Sequence, residues 1–344
     1  MKVLLFSGAR KLFSISGLGR AILHQKAALT HIGIDYTENI NDDYDIVHIN
    51  TYTPDSKRLA KKARCSGKAV VYHAHSTKED FERSFIGSTL VSALFKRWIV
   101  SYYRLGDVIL TPTEYSKRLL ESYGLKNLIF PISNGVELAF YSDNKKESNR
   151  KEFREKYGYS ENDKVVMSVG LYFERKGLLD FVELAREMPD YKFIWFGKTP
   201  LWTVPHKIRK AVRTKLPNLI FAGYVPPEEL KKAYIGADLF VFMTYEETEG
   251  IVLLEALAAG QNVLIRDIPA FDCLEDKRNV YKARSREQFR QLSESIIDGK
   301  TESLAEKGRE SVSDKSIEKT GEKLSEAYKT ALELSKNLQQ NGAR

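Results

Sequence analysis

The sequence predicts an α/β protein made of two doubly wound domains. Three observations carry this. Short apolar runs of strand length alternate with charged segments of helical period, the alternation pauses once in a polar stretch, and a second series then begins. A chain of 344 residues suits two domains of about 100–200 residues each. The spacing places the first domain at 1–142, a linker at 143–149, the second domain at 150–315, and a helical tail at 316–344 that can pack back on the first domain. The carboxyl ends of two such sheets would face a cleft, where open α/β sheets bind their ligands.

The elements follow in order. Val3–Phe6 reads as the first strand, continued by Ile46–Asn50, Ala69–Tyr72, Val108–Leu110 and Leu128–Ile132. Arg20–Ile32 and Ser56–Ala63 carry helical periodicity between them. Residues 143–149 (DNKKESN) are polar throughout and read as the linker. The second series runs through Val165–Val169, Phe193–Phe196, Ile220–Ala222, Leu239–Phe242 and Asn262–Ile265. Helices are expected at Leu178–Glu187, Pro227–Ile235 and Val252–Ala259. From Ser285 the chain is helical and charged, with Gly299 and Gly308 expected to break it into pieces.

Composition narrows the class. The hydrophobic fraction of 42% suffices for packed cores, and the net charge of +8 favours anionic partners. Cys65 and Cys273 match no metal spacing and read as reduced thiols. The apolar run after Met1 spans four residues, short of the about 7–15 of a secretory signal. No stretch approaches the ~20 apolar residues that span a bilayer. The expected location is therefore the cytoplasm, free or bound peripherally to a membrane.

Several constellations can carry chemistry. Glu247 and Glu255 bracket the start of a helix that follows the strand Leu239–Phe242. Near Gly250 that helix would offer free N–H groups and its positive dipole end to an anion. A solvated acidic loop is the plain alternative, but Glu255 is flanked by apolar residues. Arg175 and Lys176, directly after the strand Val165–Val169, suit a diphosphate, since Arg donates in a fork and Lys is a point charge. Gly17 and Gly19 follow the first strand and would let backbone approach a ligand, or simply turn the chain. They lack the third glycine of a dinucleotide fingerprint. His73 and His75 end a strand, and hydrogen bonding to substrate fits them better than a metal, because no Cys or acidic cluster accompanies them. Asp43-Tyr44-Asp45 reads as a lead-in to the strand Ile46–Asn50 rather than a metal motif. Residues 83–104 are basic and aromatic. There Leu90, Leu94, Arg97 and Ser101 share one helical row, and Val91, Phe95, Trp98 and Tyr102 another. Such a helix is either interfacial or an ordinary core helix. Lys57, Arg58, Lys61, Lys62 and Arg64 could add attraction to anionic lipid.

Together, E-x7-E running into EALAAG, the RKG after a strand, Ser133-Asn134-Gly135-Val136 and the SGLGR loop resemble the retaining glycosyltransferases of family 4. The resemblance covers about residues 1–285 and implies the GT-B fold, two Rossmann-like domains facing a cleft. It implies that Arg175 and Lys176 bind the donor diphosphate. Glu247 would contact the donor sugar and Glu255 the nucleotide ribose. His73 or His75 would stand near the reaction centre, with Gly17 and Gly19 against the donor. The sequence departs from many members at Leu171, where they carry an Arg, and Arg175 could supply that charge.

SGLGRAILHQ, NDDYDIVHINTY, HAHSTKEDFERSFIGS, TPTEYSKRLLESYG and SVGLYFERKG look closer still to Gram-positive enzymes that add a second hexose to monoglucosyl-diacylglycerol. Those glycolipids anchor lipoteichoic acid. This implies a UDP-hexose co-substrate (glucose or galactose), no required metal or other cofactor, and a glycolipid acceptor. It also implies an anionic membrane surface met by Phe85, Phe95, Lys96, Arg97 and Trp98, at the inner face of the cell membrane. The nearest alternative is a family-4 enzyme acting on a polysaccharide precursor or another lipid-linked sugar. A GT-B sugar-nucleotide epimerase is a further rival. A nucleic-acid partner is not expected, because the sequence has no such module and its basic residues are scattered.

Overall fold

The computed structural model describes residues 1–8, 17–142 and 145–340. The chain forms two compact units: Met1–Phe81 with Thr89–Gly135 and Lys315–Arg344, and Glu82–Ser88 with Val136–Asp314.

In the first unit β1 (Lys2–Phe6), β2 (Asp35–Thr37), β3 (Ile46–Ile49), β4 (Ala69–His73), β5 (Val108–Thr111) and β6 (Leu128–Pro131) form a parallel sheet in the order β2-β1-β3-β4-β5-β6. Most of these strands are apolar runs buried on both faces, as a helix-covered parallel sheet requires. Alternation sorts their side chains. Val47, Ile49, Val70 and Tyr72 meet the helices Pro54–Cys65 and Ser88–Tyr103. Ile46, Ala69 and Val71 meet the helices Gly17–His31 and Ile317–Gln340. The last helix presents Ile317, Gly321, Leu324, Tyr328, Ala331 and Ser335 at spacings of three and four, a single buried stripe. That stripe is why the end of the chain belongs to the first unit.

In the second unit β7 (Val165–Val169), β8 (Lys192–Phe196), β9 (Leu219–Gly223), β10 (Leu239–Phe242), β11 (Val263–Arg266) and β12 (Tyr281–Ala283) form a second parallel sheet, ordered β12-β11-β10-β7-β8-β9. Strand order reverses between β7 and β10, which pair directly. The segments that leave their carboxyl ends, one with the RKG and one with the E-x7-E, are thus neighbours at a topological switch point. In the first sheet the reversal falls between β1 and β3, ahead of the glycine-rich segment and of Asn50.

Some expectations change. Residues 143 and 144 of the proposed linker lie outside the described residues. Residues 146–149 are not linker but the first turn of the helix Lys146–Tyr157, with Asn149 buried. That helix is fixed by Arg154, which is almost wholly buried, pairs with Asp238 (2.8 Å) and donates to the carbonyls of Gly236 and Asp163. Gly299 does end a helical stretch, but Gly308 lies inside the helix Ala305–Glu310, packed close to Leu257 and the carbonyl of Asn279. The edge strands β2 and β12 were not anticipated, because three residues are too few to show a period.

Candidate active site

The second unit gathers most of the expected polar groups. Gly177 has φ +75°, and a Cβ there would lie 2.3 Å from the carbonyl oxygen of Met243, so only glycine lets the RKG turn sit against the end of β10. The two segments are then stitched by hydrogen bonds. The carbonyl of Arg175 accepts from the Tyr245 N–H (2.6 Å) and the Thr244 hydroxyl (3.1 Å). Glu247, in the loop after β10, is buried and accepts from Thr244 Oγ1 (3.1 Å). Lys176 Nζ forms a very short ion pair with Glu247 Oε1, and Arg175 Nη1 stands 4.0 Å from Oε2. The RKG bases and the first glutamate therefore share one cluster.

Arg175 is not an open cation. It is buried, its Nε donates to Ser84 Oγ (2.8 Å) and its Nη1 to the carbonyl of Glu246 (3.1 Å). Its backbone N–H donates to the carbonyl of Arg83, and Phe85 packs edge-on against Phe173. These contacts explain why Glu82–Ser88 belongs to the second unit. The Lys176 side chain keeps slightly more exposed surface than that of Arg175. Leu171 packs against the apolar core.

Gly250, with φ +84°, starts the helix Ile251–Ala258. Glu255 is its fifth residue, a little over one turn in, and it is buried with Oε2 accepting from Tyr234 Oη (3.1 Å). Glu247 and Glu255 are thus both enclosed carboxylates, not a solvated acidic surface.

The first unit holds a histidine cluster that is only half visible in the sequence motif. His73 ends β4 and is buried, and His75 stacks on it with ring centroids 3.9 Å apart. His48 of β3 lies on the same face, its Nε2 3.2 Å from His73 Nδ1. Gln25 Nε2 stands 3.0 Å from His73 Nδ1 and donates to Asn50 Oδ1 (2.8 Å). His75 Nε2 stands 2.8 Å from the same Asn50 oxygen. Burial holds His48 down to about 3 and His73 well below the ordinary imidazole value. Burial likewise holds His75 down to about 3. All three are neutral near pH 7. Gln25, His48, Asn50, Ser84, Tyr234 and Thr244 escaped the sequence reading. For His48 and Asn50 the signal was present, since residues two apart at a strand end face the same side.

Gly17 is the exposed first residue of the helix Gly17–His31, with Gly19 one turn position inside it, while Ser16 of the same motif lies outside the described residues. His24 of that helix is buried on the carbonyl of Gly135 (2.8 Å) and titrates low, near 4, mainly through burial. Asp43 pairs with Lys68 (3.0 Å) and Asp45 accepts from the Lys2 N–H (2.8 Å), so the D-x-D residues serve the strand lead-in. Among the described residues no three His, Cys, Asp or Glu side chains group as metal ligands.

The helix Ser88–Tyr103 has two faces. Ile99, Tyr102 and Tyr103 are buried, whereas Leu90 is 89% exposed, Leu94 63% and Trp98 47%. Arg97 is exposed on that side as well. Tyr102, placed by the sequence in the row of Val91 and Trp98, belongs to the core instead. Phe95 is half-buried, stacked on Phe81, and Lys96 lies over the Tyr123 ring (4.3 Å). Phe85 and Ile86 are exposed in the second unit. Alongside, the helix Pro54–Cys65 exposes Arg58, Lys61 and Lys62. No helix among the described residues is long and apolar enough to cross a membrane.

Comparison with known proteins follows this geometry. Residues 149–342 match the family of glycosyl transferases group 1, and residues 18–140 match glycosyltransferase family 4. The chain is 41% identical over 339 residues to a processive diacylglycerol alpha-glucosyltransferase of Acholeplasma laidlawii, covering 98% of this chain and 100% of that one. It is 27% identical to an alpha-galactosylglucosyldiacylglycerol synthase of Streptococcus pneumoniae, over 68% of this chain and 63% of that one. Anabaena HepE, solved with UDP and glucose, shares the fold with a TM-score of 0.76 at 16% identity, covering 96% of this chain and 100% of that one.

Proposed function

The chain belongs to the group 1 glycosyl transferases, and from that premise we propose that it moves glucose from UDP-glucose to monoglucosyl-diacylglycerol with retention of the α configuration. The product is a dihexosyl-diacylglycerol. The observation that carries this reading is full-length similarity to a diacylglycerol glucosyltransferase. The exposed apolar face of Leu90, Leu94 and Trp98 supports the lipid acceptor. The relative's name favours glucose over galactose as the sugar.

The chemistry follows from the cluster at the ends of β7 and β10. The bond from the anomeric carbon to the UDP oxygen breaks and a bond to the acceptor hydroxyl oxygen forms. The hydroxyl proton is released, and UDP departs with the bonding electrons. Negative charge grows on the diphosphate, so cations and helix N–H groups aimed there lower the barrier. Lys176 is the mobile cation for this role. It is paired with Glu247, and the donor would part them, taking Lys176 to phosphate and Glu247 to a sugar hydroxyl. Arg175, tied to Ser84 and Glu246, would act as a fixed charge that shapes the loop. Glu255 and the amides following Gly250 would hold ribose and phosphate. His73 or His75 from the first unit would meet the sugar.

The lipid tails stay in the bilayer in this reading. The helix Ser88–Tyr103 lays its apolar side in the interface and Arg58, Lys61 and Lys62 face anionic headgroups. The protein is then peripheral at the inner face of the cell membrane. The test is incubation with UDP-glucose or UDP-galactose and monoglucosyl-diacylglycerol in vesicles, followed by linkage analysis. An α-linked dihexosyl lipid from UDP-glucose is expected. Transfer to a soluble glycan but not to lipid would overturn the acceptor assignment.

A further inference from the structure

The carboxy-terminal helix reaches the histidine cluster through Tyr328, whose hydroxyl lies 2.7 Å from His48 Nδ1. We infer that Tyr328 and His48 are positioning residues that hold His73 with its proton on Nε2, so that it offers a hydrogen-bond donor to a hydroxyl of the bound sugar. This rests on the glycosyltransferase reading above.

The direction of each hydrogen bond follows from its neighbours. Gln25 and Asn50 form a reciprocal amide pair: Gln25 Nε2 donates to Asn50 Oδ1 (2.8 Å) and Asn50 Nδ2 donates to Gln25 Oε1 (3.0 Å). The second hydrogen on Gln25 Nε2 points to His73 Nδ1, 3.0 Å away. An amide nitrogen only donates, so His73 Nδ1 accepts and its single proton sits on Nε2. His48 Nε2, also near His73 Nδ1 at 3.2 Å, must then donate. That leaves His48 Nδ1 as an acceptor, which the Tyr328 O–H satisfies. His75 Nε2 donates to Asn50 Oδ1, consistent with the same polarity.

The far end of this chain is open. His73 is 2% exposed, and its Nε2 has no hydrogen-bond partner among the described residues. A buried N–H left without an acceptor is unfavourable, so such an atom invites a ligand acceptor. Burial keeps the imidazoles uncharged, so His73 would act as a neutral donor. The sheet explains the arrangement. His48 and Asn50 stand two apart along and just past β3, and His73 and His75 likewise at β4. All face the side that the carboxy-terminal helix covers.

The test pairs kinetics with spectroscopy on the full chain. Tyr328→Phe should lower kcat for glucosyl transfer by roughly two- to tenfold, the equivalent of one neutral hydrogen bond, with KM for the lipid unchanged. In a His73→Ala background the same change should cost nothing further, because its effect runs through His73. A packing role would lower activity equally in both backgrounds, and that result would overturn the proposal. His48→Gln, which keeps a donor toward His73, should retain most activity where His48→Leu does not; equal losses would also overturn it. Nitrogen-15 spectra of histidine-labelled protein should show His73 protonated on Nε2, and a proton on Nδ1 would reject the mechanism. The spectra report even if the wild-type protein transfers no sugar, so failure of the enzymatic reading is separable.

Discussion

Replacing Leu90 and Leu94 with Ser should release the protein from anionic vesicles while leaving its fold alone. Burying a whole Leu side chain is worth about 1.5–3 kcal/mol. Leu90 has 89% of its surface free and Leu94 63%, so membrane insertion would recover about 1.3–2.7 and 0.9–1.9 kcal/mol respectively. The pair supplies about 2–4.5 kcal/mol, a loss of roughly 30- to 2,000-fold in partitioning. Neither side chain is in the core, so stability should move by no more than about 0.5 kcal/mol per site. Phe95 and Trp98 are poorer probes. Phe95 stacks on Phe81, and Trp98 Nε1 donates to the carbonyl of Tyr52 (3.0 Å), so their loss would perturb packing too. The assay is cosedimentation with vesicles of phosphatidylglycerol and phosphatidylcholine. A decrease below about threefold, under 1 kcal/mol, would refute insertion of this face.

Exchanging Arg58, Lys61 and Lys62 for Gln should weaken binding to anionic vesicles by about 1 kcal/mol per residue at low salt and leave zwitterionic vesicles unaffected. Glu247→Gln should reduce transfer at least about 100-fold while UDP affinity, measured calorimetrically, stays within about threefold; an equal loss of UDP binding would reject its contact with sugar. Gly177→Ala should destabilise the second unit by about 2–4 kcal/mol in calorimetry, through positive φ and the approach to Met243. His24, His48 and His75 are neutral when folded, with pKa values depressed to about 4, 3 and 3, but protonate near 6.5 when unfolded. The unfolded state binds the extra protons, so stability falls as pH drops below 6.5 and down through the folded values. At pH 5 each costs about 2 kcal/mol, about 6 in all, and denaturant titrations at pH 7 and pH 5 would measure it.

Much of the candidate site in the second unit was readable because it is local. Glu247, Gly250 and Glu255 span one loop and one helix start, and Arg175-Lys176-Gly177 one turn. Each pattern is short enough for sequence spacing to define. What could not be read is which groups would be spent on one another. The Lys176–Glu247 pair and the capture of Arg175 by Ser84 join residues 71 and 91 positions apart. The same holds for His73, whose partners His48 and Tyr328 come from another strand and from the far end of the chain.

Sequence alone determined the class: the twelve parallel strands among the described residues were nearly all visible as apolar runs, because a strand buried on both faces has no polar alternation to hide it. It also determined that the helix Ser88–Tyr103 is amphipathic. It could not say which of the two helical rows meets the core, since both have the same period. Tertiary packing decided that Tyr102 is buried and that Leu90 and Leu94 face water. Packing likewise returned the last helix to the first unit, where Tyr328 meets His48, because its stripe of apolar side chains found cover only on the first sheet.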